Sequence, residues 1–262
     1  MSQILLYRMK PERMKPNKFT EIARHLDTKG ELVETGEALA IHDSERALAY
    51  AQPGGRFAGL LFYIDQSRGV AQVVDKLIDS KSAEHWATDF LDRFGLAPRK
   101  VEDKRVKLSF EIYTYEDQSI TFDRKERRRI KLKTEIGSKI ELNGIRVVGP
   151  RAKVRIVFKD QERPISIHRG LWESIEVYEE RELVREHDIY MVLKEKLAKR
   201  RDSRAYYDVI DCKIAYFARE FCSEPDILAP FYFIEVEYEA ADAEKMGITQ
   251  GPRQVFLLPA YR

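Results

Sequence analysis

The strongest constraint on the fold is a helix-then-strands pattern that occurs twice. In the last third of the chain, a polar helical segment over 182–200 precedes three strand-like runs at 207–217, 228–238 and 254–261. An earlier helical segment over 81–94 is likewise followed by strands. Because alternating strands follow each helix directly, without strand–helix crossovers, the sheets should be antiparallel. The predicted fold class is α+β, with repeated helix-on-antiparallel-sheet units.

Length and the repeat together predict three parts. The chain has 262 residues, more than the roughly 100–150 of a typical single domain. We expect an N-terminal α+β part over 1–78, a first helix-plus-sheet unit over 79–180 and a second over 181–262.

Local signals place further elements. We expect one helix over 15–26, where apolar residues recur at helical spacing, and another that Asp43 or Ser44 caps. The second helix would contain Ala47, Leu48 and Ala51. Asn143-Gly144 predicts a tight hairpin turn between two strands.

The helix predicted over 81–94 has one apolar face. Its apolar residues recur at helical spacing, and Gly95 follows as a C-terminal stop. Three of them, Trp86, Phe90 and Phe94, are aromatic. We expect these three to be buried against the first sheet.

Charge and composition limit the partners. The chain has 46 basic and 44 acidic residues, and the net charge of +2 gives no overall field that attracts nucleic acid or membranes. The basic run over 123–133 would suit either a phosphate-binding patch or a solvated hairpin turn, and it lacks aromatic residues for base stacking. We expect no nucleic-acid partner. Apolar runs are too short for a signal peptide or a membrane span, which predicts a cytoplasmic protein.

No sequence motif identifies a reaction. The five histidines lack metal-binding spacing, Gly54-Gly55 lacks a phosphate-loop context, and no serine lies in a nucleophile elbow. We expect no metal and no cofactor. Cys212 and Cys222 are interpreted as inert thiols. Glu235, Glu237 and Glu239 alternate on one strand, where they would line a polar pocket, bind a cation or form the solvent side of a sheet.

A family resemblance covers roughly residues 81–262. It rests on Asn143-Gly-Ile-Arg-Val-Val-Gly-Pro, the long strand after it, the Trp-bearing stretch, a helix, and the late Leu228-Ala-Pro-Phe-Tyr-Phe. This order resembles PepSY-type domains and the related YycH/YycI-type regulatory proteins. The resemblance implies cystatin-like helix-on-sheet units with binding, inhibitory or regulatory roles, and it implies no catalytic residue.

The aromatic residues of the last sheet suggest where a ligand would bind. A sheet that wraps a helix leaves a concave face, and aromatic side chains with polar tips commonly line ligand pockets. We expect Tyr216, Tyr232 and Glu235 to contact the ligand, with His168 and Trp172 reaching in from the preceding segment. The ligand would be a small molecule or a peptide.

Two function classes fit the sequence. The first is a non-enzymatic small-molecule or peptide-binding protein with a regulatory role. The second is a cofactor-independent enzyme of a biosynthetic pathway, in which Tyr, Glu, His and Arg side chains perform acid–base chemistry. Such an enzyme needs no linear motif, so whether the chain is catalytic stays open at this point. The sequence also leaves the oligomeric state open.

Overall fold

The chain folds into two compact units. The computed structural model describes residues 3–54, 57–68, 76–98, 101, 103–123, 126–160, 163–170, 172–198, 207–219, 227–238 and 253–262. The central unit comprises Met9–Glu176 with Ala218–Asp226. The terminal unit comprises Met1–Arg8, Val177–Phe217 and Ile227–Arg262.

Helices and antiparallel strands together form an α+β fold. The helices are α1 (Pro16–His25), α2 (Ser80–Arg93) and α3 (Glu186–Ala198). The strands are β1 (Gln3–Lys10), β2 (Val33–Glu34), β3 (Ala38–His42), β4 (Arg46–Ala51), β5 (Leu60–Asp65), β6 (Leu108–Asp123), β7 (Glu126–Leu142), β8 (Ile145–Val148), β9 (Lys153–Phe158), β10 (Ser166–Gly170), β11 (Ser174–Glu182), β12 (Tyr207–Phe217), β13 (Ile227–Tyr238) and β14 (Arg253–Pro259). Every strand pair whose residue register is described is antiparallel, as the sequence pattern predicts.

The central unit contains a long sheet with one buried face. Its strands follow the order β8-β7-β9-β10-β5-β4-β3-β2, and β6 pairs with β7. One row of directly opposed residues crosses six of these strands, and every member is buried: Ile136, Ile156, Ile167, Tyr63, Leu48 and Ile41. Since side chains alternate between the faces of a strand, this row identifies the core side of the sheet.

Helices α1 and α2 pack on the core side of the central sheet. Helix α1 begins with Pro16 and buries its apolar stripe. Helix α2 begins where the Asp79 carboxylate accepts a hydrogen bond from the Ser82 N–H at 3.0 Å. The indole ring of Trp86 contacts the ring of Phe158, at the end of β9, with a centroid distance of 5.5 Å. The N-terminal strands β2–β5 are therefore part of the same unit as α2.

The unit boundaries differ from the three predicted parts. The change of unit at 176/177 lies close to the predicted boundary at 180/181. Residues 1–78 do not form a part of their own, because β5 pairs with β10 over five consecutive residue pairs. The backbone hydrogen bonds of this pairing place β5 and β10 in one sheet.

The terminal unit places α3 on an antiparallel sheet. Its strands follow the order β11-β1-β13-β12, and β14 pairs with β13. Its hydrophobic core combines residues of α3 with alternate residues of β13 and β14: Ile189, Leu193, Leu197, Tyr232, Ile234, Val236, Phe256 and Leu258. The opposite face of β13 therefore carries Phe231, Phe233 and Glu235.

The short helix predicted after Asp43 is wrong. The segment forms β4, in which Leu48 and Tyr50 are buried with period-two spacing. The Asp43 carboxylate accepts hydrogen bonds from the N–H groups of Glu45 and Arg46, both at 2.8 Å. This arrangement closes the turn between β3 and β4, since Asp side chains stabilise turns as readily as helix ends.

The Asn143-Gly144 turn is confirmed. Leu142 and Ile145 are paired, so Asn143 and Gly144 form the whole loop between β7 and β8. Their φ angles are 52° and 78°, the left-handed values that a two-residue hairpin of this kind requires. The Asn143 side chain also accepts a hydrogen bond from the Lys107 N–H at 2.7 Å.

Candidate functional site

Three of the sequence-predicted ligand residues lie in the terminal unit, on different faces of its sheet. Tyr216 and Tyr232 are buried on the side of α3, and the Glu235 side chain lies on the other side. The Tyr216 hydroxyl donates to the Leu5 carbonyl at 2.9 Å, and the Tyr232 hydroxyl donates to the Val184 carbonyl at 2.9 Å. Burial raises the pKa of both phenols. A ligand role for each of these residues stays a prediction.

The predicted row of glutamates is paired with a cation. Glu235 accepts a hydrogen bond from Arg253 at 3.2 Å, and Glu237 lies 3.7 Å from the same guanidinium. Glu239 lies outside the described residues, as does Cys222. Burial raises the pKa of the Cys212 thiol, which disfavours the reactive thiolate.

The other two predicted ligand residues, His168 and Trp172, lie in the central unit. Trp172 is almost fully buried, and its indole N–H has no hydrogen-bond partner among the described residues. The Nε2 atom of His168 is likewise buried without a described partner. Burial and the nearby cations Lys153 and Arg155 lower the pKa of His168 below its usual value of 6.5.

One cavity of the central unit runs along α2. We call it the α2 cleft; its volume is about 530 Å³, and it is lined by His25, Ser82, His85, Trp86, Asp89, Phe90, Asp92 and Arg93. All of these except His25 belong to α2, where they recur every three or four residues and so share one helix face. His25 is the last residue of α1, so the two helices bring this set together.

Aromatic rings form the floor of the α2 cleft. The rings of Trp86 and Phe90 stack with a centroid distance of 4.9 Å and an interplanar angle of 14°. The His25 imidazole lies 5.7 Å from the Trp86 ring and 5.9 Å from the Phe90 ring. Phe94 meets both Phe90 and His25 edge-on. The cleft therefore offers flat apolar surface with an imidazole at its side.

The predicted burial of the α2 aromatics is partly confirmed. Phe90 and Phe94 are buried, but Trp86 is only half-buried because one side of its ring borders the α2 cleft. The sequence pattern assigned Trp86 to the core, since an aromatic residue at helical spacing normally packs there. The clue that it missed is the polar character of the residues beside it on the helix, His85 and Asp89.

Charged groups form the rim of the α2 cleft. Asp89 lies 3.4 Å from the Nε2 atom of His85, and Asp92 forms no ion pair with a described residue. The Arg93 guanidinium lies over the Phe94 ring, 5.6 Å from its centroid. Burial, with smaller contributions from Arg93 and Arg163, lowers the pKa of His25, which favours its neutral imidazole. Two carboxylates then face one guanidinium.

A second cavity, in the terminal unit, has a different character. It measures about 560 Å³, and charged residues and Tyr232 form much of its lining. Its charges already bind each other, since Asp188 pairs with Arg262 at 3.0 Å and with Arg185 at 3.4 Å. The Tyr232 hydroxyl is likewise occupied by Val184. The α2 cleft has more apolar area and fewer satisfied polar groups, which are the usual features of ligand sites.

The described part of the chain offers neither a metal-binding group nor a membrane-spanning helix. Among its residues, no three His, Cys, Asp or Glu side chains come together in a way that would hold a metal ion. No described helix has the length and hydropathy needed to cross a bilayer.

Comparisons with known proteins give no family. No protein-family model matches the chain, and no curated protein sequence matches it significantly. Among solved structures, the crystal structure of an uncharacterized protein from Eubacterium rectale is similar, with a TM-score of 0.46 and 11% sequence identity. The match covers 99% of this chain and 84% of that one. At this level of similarity the match carries no argument about function.

Proposed function

We propose that the protein is a non-enzymatic binding protein whose ligand, a small molecule or the side chain of a peptide, carries a flat apolar ring. The observation that supports this most is the α2 cleft, where the half-buried Trp86 ring faces a cavity of about 530 Å³. Ligand cavities commonly have volumes of roughly 300–1,000 Å³ with aromatic linings and a few polar groups.

The floor of the α2 cleft favours stacking. Offset-stacked aromatic pairs contribute roughly 0.5–1.5 kcal/mol beyond the area they bury. Trp86 is held in place by Phe90 on one side and Phe158 on another, so its ring needs no ordering when a ligand arrives. A preordered platform loses less conformational entropy on binding, which favours affinity.

The rim of the α2 cleft favours a cationic substituent on that ring. Asp89 and Asp92 outnumber Arg93, and the neutral His25 adds no positive charge. Electrostatic complementarity then predicts that a ligand with an amine binds most tightly, a ligand with an uncharged group less tightly, and a ligand with a carboxylate least tightly.

A matched series of small probes tests this proposal. Phenethylamine, 2-phenylethanol and phenylacetate share one ring and differ in charge. At ten times its dissociation constant a ligand adds about 1.4 kcal/mol of stability, which raises Tm by about 3–6 °C for a domain of this size. We expect phenethylamine to raise Tm at the lowest concentration and to quench Trp86 fluorescence in parallel.

A double variant of the two rim carboxylates is compared with a control variant at a carboxylate outside the α2 cleft. Asp89→Asn with Asp92→Asn should weaken phenethylamine binding and leave 2-phenylethanol binding unchanged. Asp160→Asn, a half-exposed carboxylate elsewhere in the central unit, should change neither. If none of the three probes changes Tm or Trp86 fluorescence, the cleft is not a site for ring-bearing ligands.

A cofactor-independent acid–base enzyme is the second candidate, and His25 favours it. Its imidazole is neutral, borders the α2 cleft and has no hydrogen bond to a described residue, so it is able to accept a proton from a bound molecule. The two candidates differ in what happens to the ligand. A ligand that NMR spectra show to be chemically unchanged after prolonged incubation supports binding alone, whereas turnover lost in His25→Gln with binding retained supports the enzyme.

The repeated cystatin-like architecture and the PepSY-like regulatory role are part of the same proposal. Helix α3 on the antiparallel sheet of the terminal unit supports it, as does α2 followed by the β6–β7 hairpin in the central unit. An experimental structure in which the two helix-plus-sheet segments do not superpose would contradict the repeat.

A further inference from the structure

The face of the central sheet opposite its helices carries a row of aromatic and basic residues. We call it the polar face; across five strands its directly opposed residues are Phe62, His168, Arg155, Gly137 and Tyr113. Directly opposed residues have neighbouring Cβ atoms, so His168 lies between the Phe62 ring and Arg155. Lys153 lies on the same face two residues before Arg155, opposite Gly170.

Among the residues whose side chains are described, cations outnumber carboxylates around Glu135 on the polar face. The side chain of Glu135, which is 2% exposed, accepts hydrogen bonds from Tyr115 and from Nε and Nη2 of Arg155, the latter at 2.9 Å. Lys133 lies 3.1 Å from the same carboxylate. One buried glutamate therefore faces two cations, and Lys153, which forms no ion pair with a described residue, adds a third.

His168 has an unsatisfied polar atom at this place. Its Nε2 atom is buried and has no hydrogen-bond partner among the described residues. Leaving such an atom unpaired is costly, so a buried group of this kind calls for a hydrogen-bond partner from outside the chain, such as a water or an ion. The charged groups that act on the imidazole are Lys153 and Arg155 of β9, while β5 presents the uncharged Phe62.

We propose that the polar face holds a second binding site, for a phosphate- or sulfate-like oxyanion, in which Lys153, Arg155 and His168 contact the anion. The excess of positive charge attracts an anion, and the oxyanion accepts the hydrogen bond that His168 donates. A Cβ at Gly137 would meet the Tyr113 ring, so this ring covers the sheet beside Arg155 on the β7 side, and Lys153 and Arg155 approach the anion from β9. This site is separate from the α2 cleft and does not depend on it.

Sulfate is a suitable probe because its charge is constant between pH 5 and 8. The chain has five histidines, and the Cε1–H resonance of His168 is assigned from the His168→Gln variant. We expect sulfate, compared with chloride at equal ionic strength, to raise the pKa of His168 by about one unit, since an adjacent anion favours the imidazolium.

Two lysine variants on the same sheet face separate the site from general charge effects. Lys153→Gln removes a contact and should weaken sulfate binding about tenfold, the factor expected for one lost charge-assisted hydrogen bond. Lys139→Gln removes a lysine that pairs with Glu141 at 2.7 Å and should leave sulfate binding unchanged. The proposal is overturned if sulfate does not shift the His168 titration, or if Lys153→Gln and Lys139→Gln reduce the shift equally.

Discussion

Some single side chains of the central unit belong both to the packed structure and to a proposed binding surface. Phe90 is a core residue that also forms part of the α2 cleft floor, and Glu135 is a buried carboxylate that organises a basic surface. Such residues link stability to function, because a substitution changes both. A test at the residue scale therefore needs a control variant that changes either stability or binding, but not both.

Phe90→Ala should strongly destabilise the protein. Phe90 is 1% exposed and contacts Trp86, Phe94 and His25, so truncation leaves a cavity and removes ring contacts. Truncating a buried phenylalanine costs about 3–5 kcal/mol in the free energy of unfolding. Urea denaturation measures this, with Val33→Ala at an exposed position as the control. An unchanged midpoint for Phe90→Ala would contradict the packing described.

Protonation of His168 should destabilise the protein as the pH falls. Burial lowers the pKa of His168 in the folded state below 6.5, so the unfolded chain binds more protons just below that pH. The stability that depends on neutral His168 is complete above about pH 7.5 and is lost as the pH falls through 6.5 towards the folded-state pKa.

Urea unfolding at several pH values between 5 and 8 measures this dependence. His168→Gln should flatten the profile, and His42→Gln, at an exposed position of β3, should not. A profile for His168→Gln as steep as that of the wild type would show that this imidazole does not couple to folding.

At the scale of elements, backbone geometry fixes the β7–β8 hairpin. Gly144 has φ of 78°, and a Cβ at this position would meet no atom within 4 Å. Any loss of stability in Gly144→Ala therefore comes from the backbone conformation. We expect the free energy of unfolding to fall by about 1–2 kcal/mol. A Cβ at Gly36 would likewise meet no atom within 4 Å, but Gly36 has no positive φ.

Gly36→Ala should thus be neutral or slightly stabilising, because alanine restricts the unfolded chain. Thermal unfolding of both variants gives the comparison. Equal losses at the two glycines would mean that the turn conformation does not contribute to stability.

The elements that the sequence predicts well are those with strong periodicity. Helix α2 was predicted over 81–94 and is observed at Ser80–Arg93, and the turn at Asn143-Gly144 is where the dipeptide indicated. The segment with Ala47, Leu48 and Ala51 predicts a helix because a capping residue precedes it and alanine favours helices, while its place in the sheet depends on pairing with β3 and β5. Pairing between distant strands has no local signal.

The α2 cleft could not be predicted from the sequence, and the ligand role of the predicted residues stays a prediction. Tyr216 and Tyr232 have the residue type of a ligand contact, but their hydroxyls bind Leu5 and Val184 carbonyls. His25 and Trp86 are far apart in the sequence and meet only because α1 and α2 pack on one sheet face. A cavity formed by two helices depends on their packing, which residue types do not reveal.

At the scale of the whole molecule, the chain divides its sequence unevenly between two units. The terminal unit is built from both ends of the chain, and the central unit from the long segment between them. Both units place helices on antiparallel sheet, and each has a cavity described above. Of these two cavities, the α2 cleft combines an apolar floor with polar groups that have no partner among the described residues. The central claim is therefore that a ring-bearing ligand binds in that cleft.

The two tryptophans allow the most direct test of this claim. Trp86 borders the α2 cleft, while Trp172 is buried elsewhere in the same unit and serves as an internal reference. Phenethylamine is titrated into the protein while the two indole N–H cross-peaks are followed by NMR. The Trp86→Phe variant shows which cross-peak belongs to Trp86. We expect the Trp86 cross-peak to shift saturably while the Trp172 cross-peak stays in place. A titration in which neither cross-peak moves, or in which both move together, would contradict a ligand site on α2.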